Sequence, residues 1–422
     1  MRKAVKVIGW VAAGALVVLI LVAIRYAASF NGFLDKITDW GKEKKEYSVV
    51  ITSEDEDKND ESSLQTLAGK NIGFLKTDSQ ATVAEKYLQE KVETKTGVYD
   101  DVDTLAGALK SGLVEGVVLE SSRLEALRED AEELTKNMQV IYTFEVEVES
   151  DAAEAANKEI ATEPFVVYIS GSDSRNGVKA TARSDVNIVA VVNPRAGKIL
   201  LVSIPRDTYV QLHGTTGLKD KLTHTGIYGV DMSRATIEDF LGIKIDYTVK
   251  VSFATVVELV NQLDGIEINS DQAMTLKTGN KTCEFVVGKQ QVDGDCALRF
   301  ARERKSYETG DRHRGENQQQ VITSIIAKLG SSKDYLLKLP TILDVAADTF
   351  ETSLTRDNIV ALIRMQLEQK INWQVESIAV DGTGTYEPTY SMGANLPLYV
   401  MIAAPETVQN ATEKINAYLS EE

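Results

Sequence analysis

The chain begins with an apolar run over residues 4–24, broken only by Lys6. Residues 7–24 give 18 positions without a charge, enough to cross a hydrocarbon core of roughly 30 Å. Arg2, Lys3 and Lys6 flank it on one side and Arg25 on the other. The run is long for a signal-peptide core, and although Ala27-Ala28-Ser29 is a conceivable cleavage site, the reading favours an uncleaved anchor. The short N-terminal tail and large following body favour a cytoplasmic N-terminus. Residues 1–28 are therefore expected to form tail and transmembrane helix, and 29–45 an amphipathic juxtamembrane segment. The rest is expected outside the membrane.

Beyond the anchor, residues 47–51 predict a strand and the acidic 53–63 stretch a solvated loop. From residue 64 to about 149, short apolar runs alternate with segments of helical spacing. Strands are expected at 70–75, 98–99, 116–119 and 138–148, and helices at 81–94, 102–111 and 121–132. This alternation predicts a small open α/β domain over 46–150. It has no His, no Cys and no Gly-rich phosphate loop, so it reads as a binding or spacer unit. Residues 151–162 read as a linker to a larger domain, 163–422. There the apolar runs 165–169, 186–192 and 199–204 predict strands, the last two joined as a hairpin through the turn-rich 193–197. Helical periodicity follows at 233–241, 253–263, 316–328, 333–344 and 356–370, with strands at 266–268 and 375–380. The class is α/β or α+β, a central mixed sheet covered by helices.

Charge narrows the function. With 63 acidic against 46 basic residues, the net charge is -17, and no basic face or DNA-binding motif is present, which argues against a nucleic-acid partner. Against that background, arginine repeatedly stands beside a carboxylate: GSDSR at 171–175, ARSD at 182–185, PRD at 205–207, ARERK at 301–305 and GDRHRGENQQQ at 310–320. Any one pair also reads as a salt bridge. Five at strand ends and turns point to a pyrophosphate site, because guanidinium forks match phosphate oxygens. Asp173 and Asp185 are suited to a Mg2+ ion that leaves positions for phosphate and water, and the arginines to charge on a leaving phosphate. None of the three histidines, His213, His224 and His313, follows a nucleophile-elbow pattern. Asp207 and Asp311 are both candidates for the general base. Two cysteines, Cys283 and Cys296, with 12 residues between them, suggest a disulfide in an exported protein, the alternative being two half-buried thiols. The apolar stripes at 253–263 and 321–329 read as core packing for most of their residues.

In order, GSDSR, TARSD, SIPRDTYV, KLTHTGIYGV, DGDCALRFARERK and GDRHRGENQQQ resemble the LytR-CpsA-Psr family of bacterial cell-envelope proteins, over about residues 165–369. The anchor and the preceding α/β unit resemble its capsule-associated, CpsA-like branch, in which an accessory domain precedes the family domain. The resemblance implies a Gram-positive type cell-membrane protein, single-pass, that transfers a glycopolymer from an undecaprenyl-pyrophosphate carrier to peptidoglycan with Mg2+. Capsular polysaccharide is favoured as the polymer, with teichoic acid open. The alternatives are a polyprenyl-pyrophosphate hydrolase or phosphatase, and a non-catalytic carrier-binding regulator of capsule assembly. By motif, Asp173 and Asp185 would bind metal. Arg183, Arg206, Arg302, Arg304 and Arg314, with Gln318, would bind the pyrophosphate, and Asp311 would orient the neighbouring arginines. Arg175, Arg312 and Lys221 depend on local register. Where some members carry a further Arg, this chain has Asn317, so an amide is expected to replace one head-group contact.

Overall fold

The structure is a computed structural model and describes residues 42–78, 80–149, 159–172, 181–278, 281–307, 310–332, 335 and 350–421. The expected anchor, the greater part of the linker and most of the helix expected at 333–344 lie outside these. Among the described residues, no helix is long and apolar enough to cross a membrane.

Residues 42–149 build the first unit. Its strands are β1 (Lys42–Thr52), β2 (Asn71–Leu75), β3 (Lys95–Tyr99), β4 (Gly116–Glu120) and β5 (Met138–Glu149), in the order β3-β2-β4-β1-β5. β2 runs parallel to β3 and β4, while β1 is antiparallel to both β4 and β5. β1 starts inside the segment expected to be juxtamembrane. Its polar first residues pair in register with β5 from Lys42 opposite Glu149, so backbone pairing overrides a sequence with little apolar signal. Its longer helices are α1 (Ala81–Lys91), α2 (Val102–Lys110) and α3 (Ser121–Asp130). On α3, Leu124, Ala126 and Leu127 are buried. Glu125 and Glu129, four residues apart and exposed, share the outward face.

The second unit is a six-stranded sheet between helices. Its strands are β6 (Phe165–Ser172), β7 (Val186–Asn193), β8 (Lys198–Ser203), β9 (Tyr247–Ser252), β10 (Phe350–Thr352) and β11 (Gln374–Ala379), in the order β10-β9-β6-β7-β8-β11. β9 is parallel to β6 and β11 to β8, whereas β7 is antiparallel to both its neighbours. The helices used below are α4 (Val230–Leu241), α5 (Phe253–Gln262), α6 (Gly294–Arg302), α7 (Asp311–Ser331), α8 (Arg356–Gln369) and α9 (Pro405–Ser420). Side chains alternate across the sheet. Val166, Val189, Leu200 and Val202 pack with Ile237 of α4 and Ile415 of α9. Val167, Ile188, Ala190 and Leu201 pack with Ile322 of α7 and Leu362 of α8. Strands buried on both faces read as unbroken apolar runs, which is why β6, β7 and β8 are visible in the sequence.

Cys283 and Cys296 form a disulfide that ties a hairpin strand, Lys281–Phe285, to α6. Closing so short a loop contributes about 2–3 kcal/mol. The two units share a core: Leu105 and Leu109 of α2 lie in one apolar cluster with Ile227, Met392 and Leu398. Arg123 of α3 is buried, its guanidinium 5.3 Å from the centre of the Tyr228 ring.

Candidate functional site

β7 runs opposite to β6 and β8, so its start lies at the end of the sheet where those two strands finish. Residues 181–185 lead into β7, and Arg206 and Asp207 follow β8. The 181–185 segment is fixed from within. Ser184 is buried, its backbone N–H donates to Thr223 O at 3.0 Å, and its hydroxyl lies 2.8 Å from that of Ser170. The Asp185 N–H donates to Gly171 O at 2.8 Å. Gly226 sits against this segment so closely that a Cβ would collide with the Ala182 carbonyl. Arg183 and Asp185 are thus carried on backbone held from both sides.

The other wall comes from α6 and α7. Gly315 lets α7 approach β8, since a Cβ there would stand 2.8 Å from Ser203 Oγ. The amide of Gln319 donates to Leu201 O at 3.0 Å and Ile378 O at 2.7 Å, pinning α7 to the sheet. That anchorage presents Arg314 and Gln318, one turn apart, on one face. Arg302 ends α6 with its guanidinium 4.6 Å from the Phe253 ring centre, an attractive cation–π geometry.

Together these elements enclose a cavity of about 330 Å³ lined by Arg183, Asp185, Arg206, Arg302, Arg304, Arg314 and Gln318, with Phe253, Glu125 and Glu129 completing the wall. Arg206 is its electrostatic centre. Nη1 is 2.9 Å from Asp185 Oδ1, Nη2 is 3.1 Å from Glu129 Oε1, and Nε is 3.8 Å from Asp207 Oδ2. Burial works against this guanidinium's charge, but Asp185, Asp207 and Glu129 outweigh it and raise its pKa. Glu129 also pairs with Arg183. Burial alone would raise the Glu129 pKa, and Arg183 and Arg206 hold it below the ordinary carboxyl range. Behind the polar cavity lies an apolar one of about 230 Å³, with Val251, Val256, Leu259, Leu298, Ile322 and Ile325 in its walls. The two share Phe253, Arg302 and Gln318. A charged chamber therefore borders an oily one, and residues of α5 and α7 line the latter.

Of the residues singled out by sequence, Arg183, Asp185, Arg206, Arg302, Arg304, Arg314 and Gln318 come together here. Asp173 and Arg175 lie outside the described residues. Asp311 opens α7, and its side chain lies outside the described set. Arg312 does not line this cavity but a small adjoining pocket that shares Asp185, Arg206, Arg314 and Gln318 with it, and it pairs with Asp381 at 2.6 Å. Two expectations need correction. Lys221 does not line the cavity; it is buried between Asp130 at 3.0 Å and Asp207 at 3.6 Å, where it joins the two units. Asn317 is likewise no head-group contact, because it is buried and donates to Phe300 O at 3.1 Å, holding α7 to α6. Asp207, a candidate base, is engaged by Lys221 and Arg206. Glu125 and Glu129 were not foreseen, since an acidic helix face ordinarily reads as solvated surface.

Asp185 is the described carboxylate suited to Mg2+, and no group of three or more His, Cys, Asp or Glu that could hold a metal occurs among the described residues. Asp185 alone is compatible with a Mg2+ that takes one or two carboxylates and fills its sphere with phosphate oxygens and water.

His224 is fully buried, Nδ1 2.6 Å from Asp220 and Nε2 3.4 Å from Asp130. Burial opposes its charge, yet Asp220 and Asp130 together hold its pKa above the ordinary value. Burial would raise the Asp130 pKa, but His224 and Lys221 hold it low. The stability owed to protonated His224 is complete below about pH 6.5 and is lost as pH rises through the raised folded value; that owed to ionised Asp130 is present above about pH 3.9 and lost as pH falls through its lowered value. The deficit in melting temperature of H224N against wild type should therefore be largest near pH 6 and shrink on the alkaline side. A deficit independent of pH would show that the imidazole is held neutral.

A match to the LytR_cpsA_psr family spans residues 130–407. The chain is 37% identical over 199 residues to the polyisoprenyl-teichoic acid–peptidoglycan teichoic acid transferase TagU of Enterococcus faecalis, covering 47% of this chain and 64% of that protein. It therefore spans just under two thirds of that relative's length. Among solved structures, B. subtilis TagV superposes with a TM-score of 0.52 at 26% identity, over 62% of this chain and 99% of that one. TagT bound to LIIa-WTA gives 0.50 at 25%, over 63% and 94%.

Proposed function

The chain belongs to the LytR_cpsA_psr family, and from that premise we propose that it moves a glycopolymer from an undecaprenyl-pyrophosphate carrier onto peptidoglycan. The observation that carries this reading is the junction of the arginine-lined cavity with the apolar one at Phe253, Arg302 and Gln318. A polyprenyl pyrophosphate has the same two halves. Its head group matches Arg183, Arg206, Arg302, Arg304, Arg314 and Gln318, and its isoprenoid tail matches the walls from β9, α5, α6 and α7. The names of the relatives, a teichoic acid transferase and TagT bound to LIIa-WTA, support a lipid-linked polymer as donor. Teichoic acid is the polymer that the Enterococcus relative's name favours, and capsular polysaccharide the one that the accessory unit favours.

In this reaction an acceptor sugar hydroxyl of peptidoglycan attacks the phosphorus nearer the glycan. The bond from that phosphorus to the bridging oxygen breaks, polyprenyl phosphate leaves carrying that oxygen, and the hydroxyl proton passes to water. Phosphoryl transfer depends chiefly on positioning and on neutralising charge. The arginines hold the pyrophosphate in line and take up the charge growing on the leaving phosphate. Asp185, with Asp173, would hold Mg2+, which when bound supplies further neutralisation of phosphate charge. Residues 4–24 would anchor the chain so that the site works at the outer face of the cell membrane.

The full chain in detergent, given Mg2+, a polyprenyl-linked glycan and a peptidoglycan fragment, is expected to yield glycan joined to peptidoglycan. Presenting teichoic acid and capsular donors in parallel identifies the polymer. Released polyprenyl phosphate without joined product would replace this reading with hydrolysis, and bound but unreacted donor would replace it with carrier binding alone.

A further inference from the structure

Glu129 does not belong to the unit that builds the phosphate site. It stands on α3 of the first unit, yet its carboxylate bridges two cavity arginines, 3.1 Å from Arg206 and directly paired with Arg183. The approach is engineered by the neighbouring residue. Asp130 is clamped by Lys221 at 3.0 Å and lies 3.4 Å from His224, so the end of α3 is held against the second unit and presents Glu129 into the chamber. Glu125, one turn earlier, lines the same wall. A carboxylate and a phosphate oxygen make the same charge-assisted bonds to guanidinium, so Glu129 and a phosphate compete for the same donors.

We infer that Glu129 is the resident anion of the phosphate site, supplied by the accessory unit and displaced when the donor's pyrophosphate binds. The inference rests on the proposed donor site and adds a function for the accessory unit: it sets the affinity of the site. With no donor present, Glu129 satisfies arginines that would otherwise face one another across the cavity. When the donor enters, its two phosphoryl groups replace one carboxylate. When polyprenyl phosphate remains after transfer, Glu129 competes for Arg183 and Arg206 again and shortens its stay.

The test is calorimetric titration of the full chain in detergent with geranylgeranyl diphosphate as probe. The Glu129 side chain is 40% exposed, so E129Q preserves shape while removing charge. If Glu129 fills its site about nine tenths of the time, removing it tightens the apparent Kd by roughly tenfold. General repulsion between two anions would also tighten binding, and the double-mutant cycle separates the two causes. In an R183A background Glu129 keeps only its pair with Arg206, so a displaced ion pair gives E129Q a clearly smaller gain than in wild type, whereas simple repulsion leaves the gain intact or larger. A gain undiminished in R183A, or E129Q binding no tighter than wild type while R302A binds weaker, overturns the inference and leaves the donor site standing. If wild type, E129Q and R302A all fail to bind the probe, the donor-site reading falls and this inference falls with it.

Discussion

Replacing Arg206 with alanine should lower kcat/KM for transfer by about a thousandfold or more, on the scale of arginines that neutralise phosphoryl-transfer charge. That corresponds to roughly 4 kcal/mol of transition-state stabilisation. The geometry gives two reasons for so large an effect. Arg206 is the cation between Asp185, Asp207 and Glu129, so its removal takes away the guanidinium partner of Asp185 and one of the two that hold Glu129. The same loss would weaken the attraction that the remaining cavity arginines exert on both donor and leaving group. R206K tests whether charge is enough. Lysine keeps the charge but not the planar fork that reaches Asp185 and Glu129 at once, so it should recover only part of the activity. Steady-state rates with the lipid-linked donor, alongside melting curves that verify folding, measure both. Activity of R206A within tenfold of wild type would remove Arg206 from the head-group site.

The second large effect should come from the apolar cavity. Val256 of α5 lines its wall, and V256W would place an indole in a space of about 230 Å³. Excluding three or four buried methylene groups, at about 0.8 kcal/mol each, should weaken a long-chain polyprenyl donor roughly 100-fold. A short isoprenyl diphosphate, which needs only the arginines and the cavity mouth, should bind within about threefold of wild type. Val256 is half-buried rather than part of the tight core, which limits the overpacking cost. Comparing the two ligands by titration isolates the tail's contribution. Equal loss for both would mean that the substitution distorted the head-group site, and no loss for either would place the tail elsewhere.

The strands that carry the site were readable because burial on both faces leaves an uninterrupted apolar signature, as in β6, β7 and β8. β9 was not, although it pairs with β6 at the middle of the sheet. Its sequence, YTVKVS, carries Lys250, and a lysine there reads as an edge or a loop, yet that residue is buried. α6 was missed for a related reason: its nine residues hold two arginines and an aspartate, and only the Asp293 side chain capping the Cys296 N–H at 3.1 Å marks its start. The arginines of the site were legible from motif order because, Arg304 apart, each sits at a strand end or on a helix. Lys221 and Asn317 stood in equally suggestive positions but turn toward a neighbouring unit and a neighbouring helix. Sequence spacing fixes which residues are close along the chain, whereas the direction of a side chain depends on what packs beside it. Glu129 is the converse case, because its partners arrive from more than fifty residues further along the chain.

α7 contributes to both chambers along one face. Arg314 and Gln318 look onto the polar cavity, and Ile322 and Ile325 onto the apolar one. At 1.5 Å per residue, the step from Arg314 to Ile325 is roughly 16 Å. For the proposed donor, a single rigid rod would therefore gauge how deep the tail reaches when the head is seated. Head and tail could then not be retuned separately: sliding or turning that rod, as one lost residue would by roughly 100°, would change the grip on phosphate and the measure of chain length together.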